Sequence, residues 1–207
     1  MSLNTKLRWI CLLLLPVALS GILHNRFLAM DALQRLPLPM PEEMTLPLDL
    51  QITILFKAVT FDLSHEKDFK QAGYRIAVVY APDQISSSDI PMRVIQQLAE
   101  YPQNRPLTRV QIPFTNLDQF RESIRVNRIN IVYICPGTSR NLVGILEVSK
   151  EFHVLTATGV EQYVKDGVAL GFIGVRDKNN ILMRYSVNRS SSKFDADFLD
   201  SALKTYQ

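Results

Sequence analysis

Two apolar runs, YRIAVVY (Tyr74–Tyr80) and INIVYIC (residues 129–135), constrain the fold of this chain more than any other feature. Neither alternates between apolar and polar positions. Each must therefore be buried on both faces, as a strand inside a parallel sheet is. Helical stripes follow them: Ile90, Val94, Ile95, Leu98 and Tyr101 after the first, and Leu142, Ile145, Leu146 and Phe152 after the second. Between the runs, residues 107–112 read as a strand, and Leu117, Phe120 and Ile124 mark one face of a short helix. The stretch VLTATGVEQYVKDGVALGFIGV continues the alternation, with strands over 154–157 and 168–175 around a short helix over 159–166. Residues 176–180 (RDKNN) have hairpin-turn chemistry, and 181–187 return as an antiparallel strand at the sheet edge. A last helix carries Phe194, Phe198, Leu199, Ala202, Leu203 and Tyr206. Strands alternating with helices predict a Rossmann-like α/β domain: a mostly parallel sheet with helices on both faces and an antiparallel C-terminal edge hairpin.

This domain begins near Leu48. Leu48, Ile52, Leu55, Phe56 and Val59 recur at helical spacing, with Pro47 and Asp49 suited to the helix start. Leu50, Ile52 and Ile54 also allow a strand there. Residues 21–47 hold Pro37, Pro39, Pro41 and Pro47, and read as a stiff, extended leader. Residues 1–20 read as an export signal. A basic MSLNTKLRW is followed by an apolar ICLLLLPVAL, and Ala18 and Ser20 offer small residues ahead of cleavage before Gly21. An apolar stretch of that length falls short of the ~20 residues of a comfortable membrane span. Continuing through Ile22 and Leu23 makes an uncleaved anchor the alternative. The expected location is the periplasm, free or membrane-tethered.

Charge narrows the function. The chain has 23 basic and 20 acidic residues; without Lys6 and Arg8 of the signal, 21 face 20. So even a balance lacks the footprint of a nucleic-acid binder. Cys11 lies in the signal, which leaves Cys135 as the single thiol, read as a small buried hydrophobe at a strand end.

The chain carries no P-loop, no G-x-G-x-x-G and no G-x-S-x-G, and His24, His65 and His153 do not sit at metal-ligand spacing. No cofactor, metal or catalytic role is expected, and the histidines read as surface or packing residues. Glu42 and Glu43 read as solvated. Asp62, Glu66 and Asp68 form either an acidic cluster or, preferably, a solvated helix end. In doubly wound sheets ligands bind beyond the carboxyl ends of the strands. That places a candidate crevice at Tyr80, Thr138, Ser139 and Arg140, where a helix start either holds an anion or is simply capped by Thr138 or Ser139.

The order and wording of these elements resemble the YfiR/HmsC family of exported bacterial proteins, over about residues 49–203. The resemblance is carried by Leu55-Phe56-Lys57-Ala58-Val59-Thr60-Phe61, by Arg75-Ile76-Ala77-Val78-Val79, by Val154-Leu155-Thr156, Gly167, 168–172 and Asn188, and by Phe198-Leu199 with Leu203. It implies a periplasmic domain, often a homodimer, that represses an inner-membrane diguanylate cyclase by binding its sensory domain. A sensor kinase is the related alternative partner. Lys57 and Phe61 are then the candidate partner contacts, while Gly167 and Asn188 are structural. Typical members carry several cysteines, so the lone Cys135 excludes an intramolecular disulfide switch. A second reading from the residues is a small-molecule-binding module resembling one lobe of a solute-binding protein, with the Tyr80–Arg140 crevice as its site.

Overall fold

In a computed structural model, the described residues are 44, 46–83, 89–101, 105–177, 180–200 and 204–206. The chain divides into two compact units, Met1–Pro41, which lies outside the described residues, and Glu42–Gln207. The signal and most of the leader thus fall outside them, as do Lys178, Asn179, Ala202 and Leu203. No described helix is long and apolar enough to cross a membrane.

The helices are α1 (Leu48–Ala58), α2 (Glu66–Ala72), α3 (Ile90–Glu100), α4 (Leu117–Val126), α5 (Leu142–Glu151), α6 (Glu161–Lys165) and α7 (Ala196–Asp200). The strands are β1 (Tyr74–Tyr80), β2 (Leu107–Pro113), β3 (Ile131–Ile134), β4 (Leu155–Thr158), β5 (Leu170–Asp177), β6 (Asn180–Asn188) and β7 (Lys204–Tyr206). They form one sheet in the order β2-β1-β3-β4-β5-β6-β7. Strands β1 to β5 run parallel, β6 pairs antiparallel with β5, and β7 runs parallel to β6.

The pleat sorts the apolar runs onto two faces. Ile76, Val78, Ile131, Tyr133, Leu155 and Ala157 pack with Ile52, Leu55 and Phe56 of α1 and Val94 and Leu98 of α3. Ala77, Val79, Val132 and Ile134 pack on the other face with Phe120 and Ile124 of α4, Ile145 and Val148 of α5, and Tyr163 of α6. The continuous runs of β1 and β3 are therefore buried on both sides, and the domain has three layers.

Residues 48–58 form the expected helix, which removes the strand alternative. Two expectations change. The closing helix is only the five residues of α7, after which the chain adds β7 outside β6. The antiparallel hairpin is present, but β7 rather than β6 takes the sheet edge. Helix α2 was not anticipated, because Phe69 is its sole buried residue and no apolar stripe marks it. Its ends were readable: Glu66 and Asp68 in the first turn, Lys70 in the last, and Gly73 after it at φ 72°.

Candidate functional site

The strand order reverses between β1 and β3, so the expected crevice lies beyond Tyr80 and Ile134. Thr138 there is fully buried; its hydroxyl donates to Cys135 O at 2.9 Å, and its N–H donates to Tyr163 Oη at 2.9 Å. It does not cap the following helical turn, and both its hydroxyl proton and its N–H are donated inside the protein. Ser139 opens that short 3-10 turn and makes no side-chain cap either, which corrects the capping expectation. Ser139 and Arg140 are exposed, and Tyr80 is half-buried against the α1–α3 layer.

Next to this point, at the ends of β3 and β4, the protein supplies its own occupant. Gln51, from the first turn of α1, is fully buried; its Nε2 donates to Leu46 O at 2.6 Å, and its Oε1 accepts from Tyr133 Oη at 2.5 Å. Burial, with Cys135 beside it, pushes the Tyr133 hydroxyl well above its ordinary pKa and keeps it a donor. Cys135 is the buried hydrophobe expected, and burial pushes its thiol pKa upward. We expect iodoacetamide to label Cys135 at least ~100-fold more slowly in the native protein than in urea, because reaction must wait for opening.

Lys57 and Phe61 lie near the exit of α1. Lys57 is exposed, while Phe61 is 41% exposed and stacks on Phe198 with ring centroids 5.2 Å apart. The backbone fixes this end: Asp195 N–H donates to Phe61 O at 2.9 Å, and Leu63 N–H to Lys193 O at 2.9 Å.

The acidic cluster is not what forms here, nor is Asp62 a solvated helix end. Asp62 is buried, with Oδ2 2.6 Å from His65 Nδ1, and its Oδ1 accepts from Ser64 N–H at 2.9 Å and Ser192 Oγ at 3.1 Å. An ionised carboxylate only accepts, so the Nδ1 proton belongs to His65 and its Nε2 is the open ring nitrogen. Glu66 instead pairs with Lys70 on the exposed side of α2.

His65 lines a half-open cavity of about 600 Å³ at the amino ends of β4 and β5, opposite the expected crevice. Asp68 of α2 and Lys150 and His153 from the end of α5 border it, with hydroxyls from Ser64, Ser149, Thr156, Ser190 and Ser191. Gly167, at φ 118°, also lines it, and its carbonyl accepts from Ser191 Oγ at 2.6 Å. Asn188 is buried: its Nδ2 donates to Val164 O at 3.0 Å, and its Oδ1 accepts from Ser190 N–H and Oγ. No group of three or more His, Cys, Asp or Glu side chains among the described residues is placed to hold a metal. His24 lies outside the described residues.

No family model and no curated protein matches the chain. Solved structures do share its fold. A conserved domain protein from Vibrio cholerae superposes with a TM-score of 0.57 at 9% identity, over 77% of this chain and 60% of that one. A domain from Streptococcus pneumonia solved in complex with L-Trp gives 0.53 at 9% identity, over 77% of this chain and 62% of that one. The chain therefore spans about three-fifths of the length of either structure. At that identity the likeness establishes the α/β fold.

Proposed function

We propose that this chain is an exported regulator that works by contact. It docks on the periplasmic sensory domain of an inner-membrane signalling protein, such as a diguanylate cyclase or a sensor kinase, and favours its inactive state. The observation that carries this reading is the rigid aromatic end of α1. Phe61 is stacked on Phe198 yet 41% exposed, and Leu63 beside it is 58% exposed. Lys57 lies one helical turn earlier. Held by backbone bonds on both sides, such a patch loses little entropy on binding, as an interface anchor requires. The resemblance to exported repressors supplies the partner class. No catalytic role is assigned.

Co-purification from detergent-solubilised membranes of the native organism tests the reading. Wild-type protein should retain a membrane signalling protein with an extracytoplasmic sensory domain. Phe61→Ser together with Lys57→Glu should weaken capture by about 30-fold, the ~2 kcal/mol of a hot-spot anchor. Equal capture by the variant would move the interface elsewhere, and failure of wild-type protein to retain any such partner would remove the reading.

A second reading has its own observation. The 600 Å³ cavity is large enough for a small polar molecule. A fold of this kind holds L-Trp in the Streptococcus domain. The site would then be at the amino ends of β4 and β5 rather than at Tyr80 and Arg140.

A further inference from the structure

We infer that the cavity at the amino ends of β4 and β5 takes a small hydroxylated organic anion, its phosphate or carboxylate held at Lys150, His153 and Nε2 of His65. The inference rests on the reading that this cavity holds a small molecule, and names its class.

The charge-bearing groups decide the sign. Three side chains capable of positive charge line the cavity, against the single carboxylate of Asp68. The other nearby acid, Asp62, does not line the cavity: it is buried behind His65, and its carboxylate faces the His65 ring, Ser64 and Ser192 rather than the cavity. The end of α5 could have offered a cation its free carbonyls. It does not, because N–H groups of Phe152, His153 and Val154 close onto Val148, Lys150 and Ser149. His65 is held by Asp62 through Nδ1, so its Nε2 is fixed in place to donate to an anion when the ring is protonated.

The hydroxyls divide into two kinds. Ser64 Oγ accepts from Lys193 N–H and Thr156 Oγ1 from Ala169 N–H, both at 2.9 Å, so each keeps its proton to donate. Ser190 and Ser191 donate inward, to Asn188 and to the Gly167 carbonyl, and keep lone pairs to accept. Donors thus suit an anionic head, while acceptors, with Asp68, suit ligand hydroxyls. A bare inorganic anion would use only the first set.

Calorimetric titration of the purified protein with glucose 6-phosphate, gluconate, glucose and putrescine tests this. Binding of glucose 6-phosphate or gluconate, at least tenfold tighter than glucose, is the expected result, and whichever is tighter identifies the head group. Lys150→Gln with His153→Asn should weaken it about tenfold or more; asparagine is chosen because His153 sits at φ 51°, which it tolerates. Arg125→Ala, outside the cavity, should leave it unchanged. Binding of glucose or putrescine alone, if lost on Ser190→Tyr, would retain the small-molecule reading and overturn the anion. Anion binding unaffected by the Lys150 and His153 changes would also overturn it. No binding of any probe would remove both.

Discussion

Replacing Asp62 by alanine lowers the unfolding free energy by about 3–5 kcal/mol, the largest effect expected of any polar substitution in the domain. The carboxylate is buried and closes three donors: the Nδ1 proton of His65, the Ser64 amide and the Ser192 hydroxyl. Each donor left unmet away from water costs roughly 1–3 kcal/mol, and His65 can escape only by giving up its Nδ1 proton. The damage extends along the chain. Asp62 bridges to Phe194, and its neighbours Phe61 and Leu63 bond Asp195 and Lys193, so this carboxylate ties the exit of α1 to the segment before α7. Asp62→Asn keeps one acceptor oxygen for Ser64 and Ser192 and should lose clearly less. Urea unfolding of both variants gives the comparison; an alanine variant within 1 kcal/mol of wild type would show that water replaces the carboxylate. Because Phe61 stacks on Phe198 across the same junction, Asp62→Ala should also loosen the proposed docking end.

That junction was not legible in the sequence, and the reason is distance. Asp62 and Ser192 are 130 residues apart, and nothing local marks either one. Local pattern reached only Asp62, Glu66 and Asp68, which sit together in sequence but part in space, Asp62 inward and Glu66 outward to Lys70. The sheet was legible for the opposite reason. Burial on both faces forces β1 over 76–79 and β3 over 131–134 to be apolar at every position, so their identity is written in consecutive residues. Strand β7 escapes that logic, because Lys204-Thr205-Tyr206 is three residues long and carries no apolar run. The cavity was missed because its walls come from α2, α5 and the turn after β6, each contributing one to three polar residues that read alone as solvated surface. The expected crevice came from a sound rule about strand order. What the rule does not see is a side chain from elsewhere placed at those strand ends.

Gln51 is that side chain, and removing it gives the second large effect. Gln51→Ala should cost about 2–5 kcal/mol, since Tyr133 Oη and Leu46 O lose their buried partner and a void the size of an amide remains. The fit around it is closed by a glycine. A Cβ at Gly159 would lie 2.7 Å from Gln51 Nε2 and 2.9 Å from its Cδ. The end of a glutamine ordinarily moves aside at little cost. Here it is bonded at both polar atoms, so Gly159→Ala must either break those bonds or displace the turn after β4, and should itself cost about 1–3 kcal/mol. The two costs share one cause, which makes them non-additive. With Gln51 already alanine, the new methyl group at position 159 enters space the amide has left. The double variant should therefore be more stable than the sum of the singles predicts, by at least ~1 kcal/mol. Strict additivity would mean that Gly159 is required by the backbone turn alone. A coupling of the expected sign would make Gln51 and Gly159 one unit, in which a glycine after β4 exists to admit a glutamine from α1 and the end of the sheet is sealed from within.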